Sequence, residues 1–169
     1  MSRISARRDS VAPGPGQESV WDYPRPPQVE PVTARLAVVL GGETIAATTR
    51  GYRVIETSHP PNYYFPIDDV APGVLTRAAG ASYCEFKGQA HYYTVRGGGR
   101  IEAYTAWGYD HPSAGYEVLG RHVAFYAAHM DACFVGGERV TPQPGDFYGG
   151  WITSTVTGPF KGGPGTQGW

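Results

Sequence analysis

Three short stretches of this chain share one pattern and restrict it to a β architecture: VVLGGETI (38–45), TVRGGGRI (94–101) and CFVGGERV (133–140). In each, an apolar or β-branched run meets a glycine pair, then a polar residue and a second apolar run. A tight two-residue hairpin turn needs adjacent residues with positive φ, which glycine adopts without a Cβ clash. The pattern therefore predicts three β-hairpins. GYRVIET (51–57) and GRHVAFYA (120–127) add strands rich in β-formers. Helix signals are short: PIDDVAPGVL (66–75) offers one turn with Asp68 and Asp69 near its start, and PSAGYEVLG (112–120) at most two. The expected fold is mainly β, with about eight short strands in a compact sheet or open barrel and one or two short helical turns.

Glycine and proline, 24 and 15 in number, crowd the two ends, so the folded β domain is expected at 20–140. Residues 1–19 read as a disordered arm. The following VWDYPRPPQVEP reads as an extended segment, because each proline fixes φ and steers its predecessor away from helix. The stretch 141–169 is glycine-rich but punctuated by Phe147, Tyr148, Trp151, Phe160 and Trp169. Rings of that size left in water invite association, so this extension is expected to cap the domain or to reach a second subunit of a homo-oligomer.

Net charge is −1 and carries no basic footprint, which argues against a nucleic-acid partner. No apolar run is long enough to span a membrane, and the basic start is followed by VAPGPGQES instead of an apolar segment, so neither a membrane partner nor a secretion signal is expected. The two cysteines, Cys84 and Cys133, form no C-x-x-C pair. Two free thiols in a reducing cytoplasm are the expectation, with no metal site and no cofactor.

Chemistry concentrates around SYCEFKGQAHYY (82–93). Of fourteen Lys and Arg residues only Lys87 and Lys161 are lysine, and both stand in the tripeptide Phe-Lys-Gly. If 84–88 turns, Cys84 and Lys87 face one cavity, where an ammonium favours the thiolate. His91 or His122 is then a candidate proton acceptor and Glu56, at the end of a strand, a candidate acid or base. His59 and His111, each beside a proline in a loop, read as surface residues. Aromatic residues arrive in pairs, and adjacent strand residues face opposite sides, so one ring of each pair points inward. Tyr63, Tyr64, Tyr92, Tyr93, Trp107, Tyr109 and Tyr126 are the candidate lining of a pocket for a planar or cationic small organic molecule.

The motifs VIETSHPPNYYFPIDDV, C-x-F-K-G from Cys84 to Gly88, AWGYDHP and HVAFYAAHMDA together resemble the family catalogued as domain of unknown function 427, over roughly residues 20–140. Glu85 departs from the small residue or proline usual in that family, and an acid there is placed to pair with Lys87. The resemblance implies a fold similar to the β-tent proteins, such as methionine sulfoxide reductase B and the ligand-binding domain of cereblon. Those proteins hold zinc through two C-x-x-C pairs that this chain lacks. The family is sometimes labelled a nucleotidyltransferase, but that chemistry places two metal-binding carboxylates behind a Gly-Ser turn. Here the only adjacent acids are Asp68 and Asp69, with no such turn before them. Two readings stay open: a ligand-binding protein whose Cys84, Lys87 and Glu56 perform thiol chemistry, and a non-catalytic sensor or protein-interaction module.

Overall fold

The computed structural model describes residues 2–169. Its fold is mainly β, built on two antiparallel sheets. The larger has seven strands, in the spatial order Gln28–Val32, Gly51–Ile55, Asn62–Pro66, His122–Phe125, Arg100–Gly108, Gly88–Gly97 and Leu75–Cys84. The smaller has four, in the order Glu138–Arg139, Ala132–Val135, Leu36–Leu40 and Glu43–Thr48. Neither closes into a barrel. Further two-residue pairings at the termini raise the strand count above the expected eight.

All three predicted hairpins form, turning at Gly41-Gly42, Gly98-Gly99 and Gly136-Gly137 with positive φ at every position. Two of these tips also cross. A Cβ on Gly41 would lie 2.2 Å from the Gly97 carbonyl oxygen, and one on Gly98 would lie 1.8 Å from that of Gly41. Glycine is therefore required here for close backbone approach as well as for turn geometry.

Strand alternation gives the large sheet two distinct faces. One face sends Phe65, Val95, Val123 and Phe125 onto Leu36, Val38, Leu40 and Ile45 of the small sheet. Every one of these is essentially without solvent contact, and each contributes about 1.5–3 kcal/mol by burial. The opposite face carries Val54, Tyr64, Ala90, Trp107 and Ala124, with Tyr109, Tyr116 and Leu119 from the following loop. This second face is covered by loops and by the chain termini, and it holds the candidate site.

The termini differ from the sequence reading. Within 1–19, expected to be disordered, Arg3–Arg8 forms a short helix capped by Ser2, and Glu18–Ser19 pairs in parallel with Val156–Thr157. Ala6, Val20, Trp21 and Tyr23 pack with Val156 and Trp169 in a third cluster, where Trp21 meets Trp169 edge-on at 5.2 Å. The arm gains by tertiary burial what its own sequence does not provide. Residues 141–169 fold back onto the domain: Trp151 is buried against Tyr63 and Phe65 and donates its indole N–H to the Phe125 carbonyl at 3.0 Å. Among the described residues no helix is long and apolar enough to cross a membrane.

Candidate functional site

A cavity of about 380 Å³ opens on the outer face of the seven-stranded sheet. Small residues make the room: Ala90 sits among Tyr64, Tyr92 and Trp107, so the rings stand around a hollow instead of filling it. Trp107 leans on Tyr126 at 4.6 Å, and the Tyr126 hydroxyl donates to the Phe147 carbonyl at 3.1 Å. Gly149 lies so close that a Cβ there would come within 2.4 Å of the Trp107 ring. The extension thus roofs the floor laid by the sheet, and Tyr148, Gly149, Lys161 and Trp169 join the lining.

Glu56 follows the strand Gly51–Ile55 and faces the cavity. Arg25 holds its carboxylate at 3.1 Å, and His59 Nε2 lies 3.7 Å away. The tautomer of His59 is set by Gln143. The Gln143 Oε1 accepts the Gly150 N–H at 2.9 Å, which fixes the amide orientation. Its Nε2 then donates to the Lys161 carbonyl at 2.9 Å and to His59 Nδ1 at 3.1 Å. With Nδ1 occupied as acceptor, the neutral ring carries its proton on Nε2, toward Glu56. Burial, followed by Lys161, Arg25 and Lys87, pushes His59 down to about 3, so it is neutral at physiological pH. His59 was expected at the surface; it is buried instead, held by Gln143 and packed edge-on against Tyr148.

Cys84 ends one strand, Gly88 begins the next, and the intervening turn brings Cys84 and Lys87 to one wall. The Lys87 backbone N–H points at Cys84 Sγ at 3.5 Å, and the Lys87 carbonyl accepts from Ser113 N–H at 2.9 Å, anchoring the turn. The Lys87 side chain is buried, with 7% of the residue exposed. Burial opposes its charge, yet Tyr64, Cys84, Glu56 and Tyr116 together raise the amine above the ordinary lysine range. It is a cation at neutral pH, as an ammonium that favours a thiolate must be. Glu85, expected to pair with Lys87, stays in solvent and forms no ion pair with it.

Beside this wall the Tyr64 hydroxyl is wholly buried. It lies near Trp107 and Tyr109 but completes a hydrogen bond of normal geometry with neither. Asn62 Oδ1 is likewise buried without a partner, and both residues line the cavity. Burial raises the phenols of Tyr64 and Tyr109 and, with Tyr92 and Tyr64 nearby, pushes Tyr126 up to about 12. All three are neutral donors at physiological pH.

Of the residues singled out from sequence, Cys84, Lys87, Glu56, Tyr64, Tyr92, Trp107, Tyr109 and Tyr126 converge on the cavity. Tyr63 and Tyr93 do not. Alternation turns Tyr63 toward Trp151 in the inter-sheet core, while Tyr93 packs on that same side and bonds His91 at 3.0 Å. His91, one position from Tyr92, is carried to the other face for the same reason. His122 packs edge-on against Tyr52 with its Nδ1 on the Gly120 carbonyl. Neither histidine lines the cavity. Cys133 is buried between the sheets, where desolvation pushes its thiol up to about 12. Both thiols are free. Sequence reasoning missed Arg25, His59 and Lys161; only Lys161 carried a signal, the tripeptide it shares with Lys87.

Asp69 is bound by Arg50 and Thr48, and Asp68 is exposed; neither lines the cavity. Among the described residues no three His, Cys, Asp or Glu side chains converge. No curated protein matches this chain. Residues 28–136, well over half of the chain, match the family described as a domain of unknown function, DUF427 (labelled NTP_transf_9), and the protein belongs to that family.

Proposed function

We propose that the protein binds a small organic molecule in the cavity over the seven-stranded sheet, with the Cys84 thiol at its wall available for chemistry on the ligand. The observation that carries this reading is the pair of buried polar atoms without partners, Tyr64 Oη and Asn62 Oδ1, set among aromatic walls. Native structures satisfy nearly all such atoms, and each exception calls for a ligand, a water or a functional role. A volume of about 380 Å³ falls within the range of small-molecule sites, and apolar walls with a few convergent polar groups are their usual make-up. The inward packing of Trp151 and Trp169 favours a cap over a subunit contact. Two free thiols fit a reducing cytoplasm.

Thiol chemistry here would depend on Lys87 and Glu56, not on a histidine base. His59 has its acceptor nitrogen committed to Gln143 and presents only a donor to the cavity. A panel of planar aromatic acids, amides and amines tests the reading by two measurements, the shift in Tm and the protection of Cys84 from iodoacetamide. At least one class should do both, and Trp107→Ala should abolish the effect. If no class does either, or if the folded variant responds like the wild type, the cavity is not a binding site.

A further inference from the structure

The cavity's charges are unevenly matched. Arg25 is paired with Glu56 at 3.1 Å, and Lys161 Nζ donates to the Trp169 carbonyl oxygen at 3.2 Å while lying over the Tyr148 ring. His59 is neutral. Lys87 is left with an ammonium that makes neither a hydrogen bond nor an ion pair among the described residues, although more than nine-tenths of the residue is buried. Of the two carboxylates that line the cavity, Glu56 is already engaged by Arg25, and Glu85 is exposed to solvent and makes no ion pair with Lys87. Buried charges are ordinarily paired, and one that faces a cavity alone is matched to something that enters the cavity. The Tyr64 hydroxyl, which lines the same cavity and lacks a partner of its own, adds a neutral donor beside the cation.

Building on the ligand-binding reading, we infer that the natural ligand is a planar organic carboxylate, its anionic group on Lys87 and Tyr64 and its ring body against Trp107 and Tyr126. One unmatched cation calls for one negative charge, which a carboxylate supplies. A flat body fits a hollow bounded by rings, where stacking adds to burial. The sequence reading admitted a cationic ligand; three cations, Arg25, Lys87 and Lys161, against the two carboxylates Glu56 and Glu85 around one cavity make that the disfavoured sign.

The test is calorimetric titration of the wild-type protein with 2-naphthoate and with its neutral isostere 2-naphthamide, which differ chiefly in charge. The acid should bind about tenfold or more tightly than the amide, as expected for a desolvated charge-assisted hydrogen bond. Lys87→Met and Lys87→Gln should bring the two affinities within about twofold of each other, the convergence expected once that bond is gone. Equal affinity of acid and amide for the wild type would overturn the charge assignment and leave the cavity reading intact. So would a folded Lys87 variant that keeps full preference for the acid. If neither probe binds nor protects Cys84, the carboxylate assignment falls, and the cavity reading falls with it if the aromatic amines fail as well. The wild-type comparison needs no substitution and decides the matter even where a variant does not fold.

Discussion

Gln143→Leu removes three hydrogen bonds in one step, those to the Gly150 N–H, the Lys161 carbonyl and His59 Nδ1. The shape of the side chain is largely kept, so the loss is polar and not steric. A buried group that loses its partner costs about 1–3 kcal/mol. The Gly150 amide is deeply placed, whereas His59 and Lys161 border the cavity and can recruit water, which puts each of them at the low end. With about 1 kcal/mol each for His59 and Lys161 and about 2 for Gly150, the sum is about 4 kcal/mol, of which the added apolar burial returns about 1. For a chain of this length each kcal/mol moves Tm by roughly 2–4 °C, so a fall of roughly 6–12 °C is expected in a calorimetric scan. Gln143→Glu adds an electrostatic readout. It keeps the acceptor for Gly150 but sets a carboxylate against His59 Nδ1, which must then carry a proton. The His59 pKa should rise well above its value of about 3 and become visible in an NMR titration of the ring protons. A Tm within about 2 °C of wild type for the leucine variant would refute the reasoning, given the expected slope. So would a His59 that stays neutral down to pH 4 in the glutamate variant.

Three further outcomes follow from single features. Gly98 and Gly99 both have positive φ, but only at Gly98 would a Cβ strike backbone, 1.8 Å from Gly41 O. Gly99→Ala should therefore cost about 1–2 kcal/mol and Gly98→Ala clearly more, as chemical denaturation would show; equal costs would mean that the hairpin tips do not touch. His59, neutral when folded and near 6.5 when unfolded, binds fewer protons in the native state across that interval, so its contribution is complete above pH 6.5 and is lost toward pH 3. Between pH 6.5 and pH 5 this amounts to about 2 kcal/mol, and His59→Asn, which retains the acceptor for Gln143, should flatten that part of the stability profile. Iodoacetamide at pH 7.5 should label Cys84 in the native protein and Cys133 only in denaturant, because burial keeps the latter a thiol; mass spectrometry showing the reverse order would place Cys84 in the core.

The hairpins were legible because their signal is local. A glycine pair states its own turn, and the apolar runs on either side state the strands. The division of rings between two faces was legible as a rule, since adjacent residues must point apart, but not as an assignment. Nothing in Tyr63-Tyr64 or Tyr92-Tyr93 says which member meets the small sheet and which the cavity. That choice is made by the order of the strands and by what packs on each face. The terminal arm was illegible for a related reason. Its helix is too short to stand on propensity, and Ala6, its buried residue, finds partners such as Val156 and Trp169 at the far end of the chain. His59 is fixed by Gln143, eighty-four positions away, and no local pattern encodes that meeting.

The cavity has a floor and a roof of different origin, and the charge it presents depends on both. Glu56, His59, Asn62, Tyr64, Cys84, Lys87, Trp107 and Tyr126 all lie inside the matched region 28–136, whereas Arg25, Tyr148, Gly149, Lys161 and Trp169 lie outside it. The floor alone holds one cation, Lys87, and two carboxylates, Glu56 and the exposed Glu85, and so carries no preference for an anion. Arg25 neutralises Glu56 from outside that region. With Lys161 it also adds to the positive field that, together with burial, keeps His59 unprotonated. The selective sign of the site is thus a property of the segments that cap it. Those segments are joined to the floor at several points, among them the amide of Gln143, the Tyr126 hydroxyl on the Phe147 carbonyl, the contact of Gly149 with Trp107 and the ion pair of Arg25 with Glu56. Removing the guanidinium, as in Arg25→Met, should reduce discrimination between 2-naphthoate and 2-naphthamide before it abolishes binding, because the rings of the floor remain while the match for Glu56 is lost.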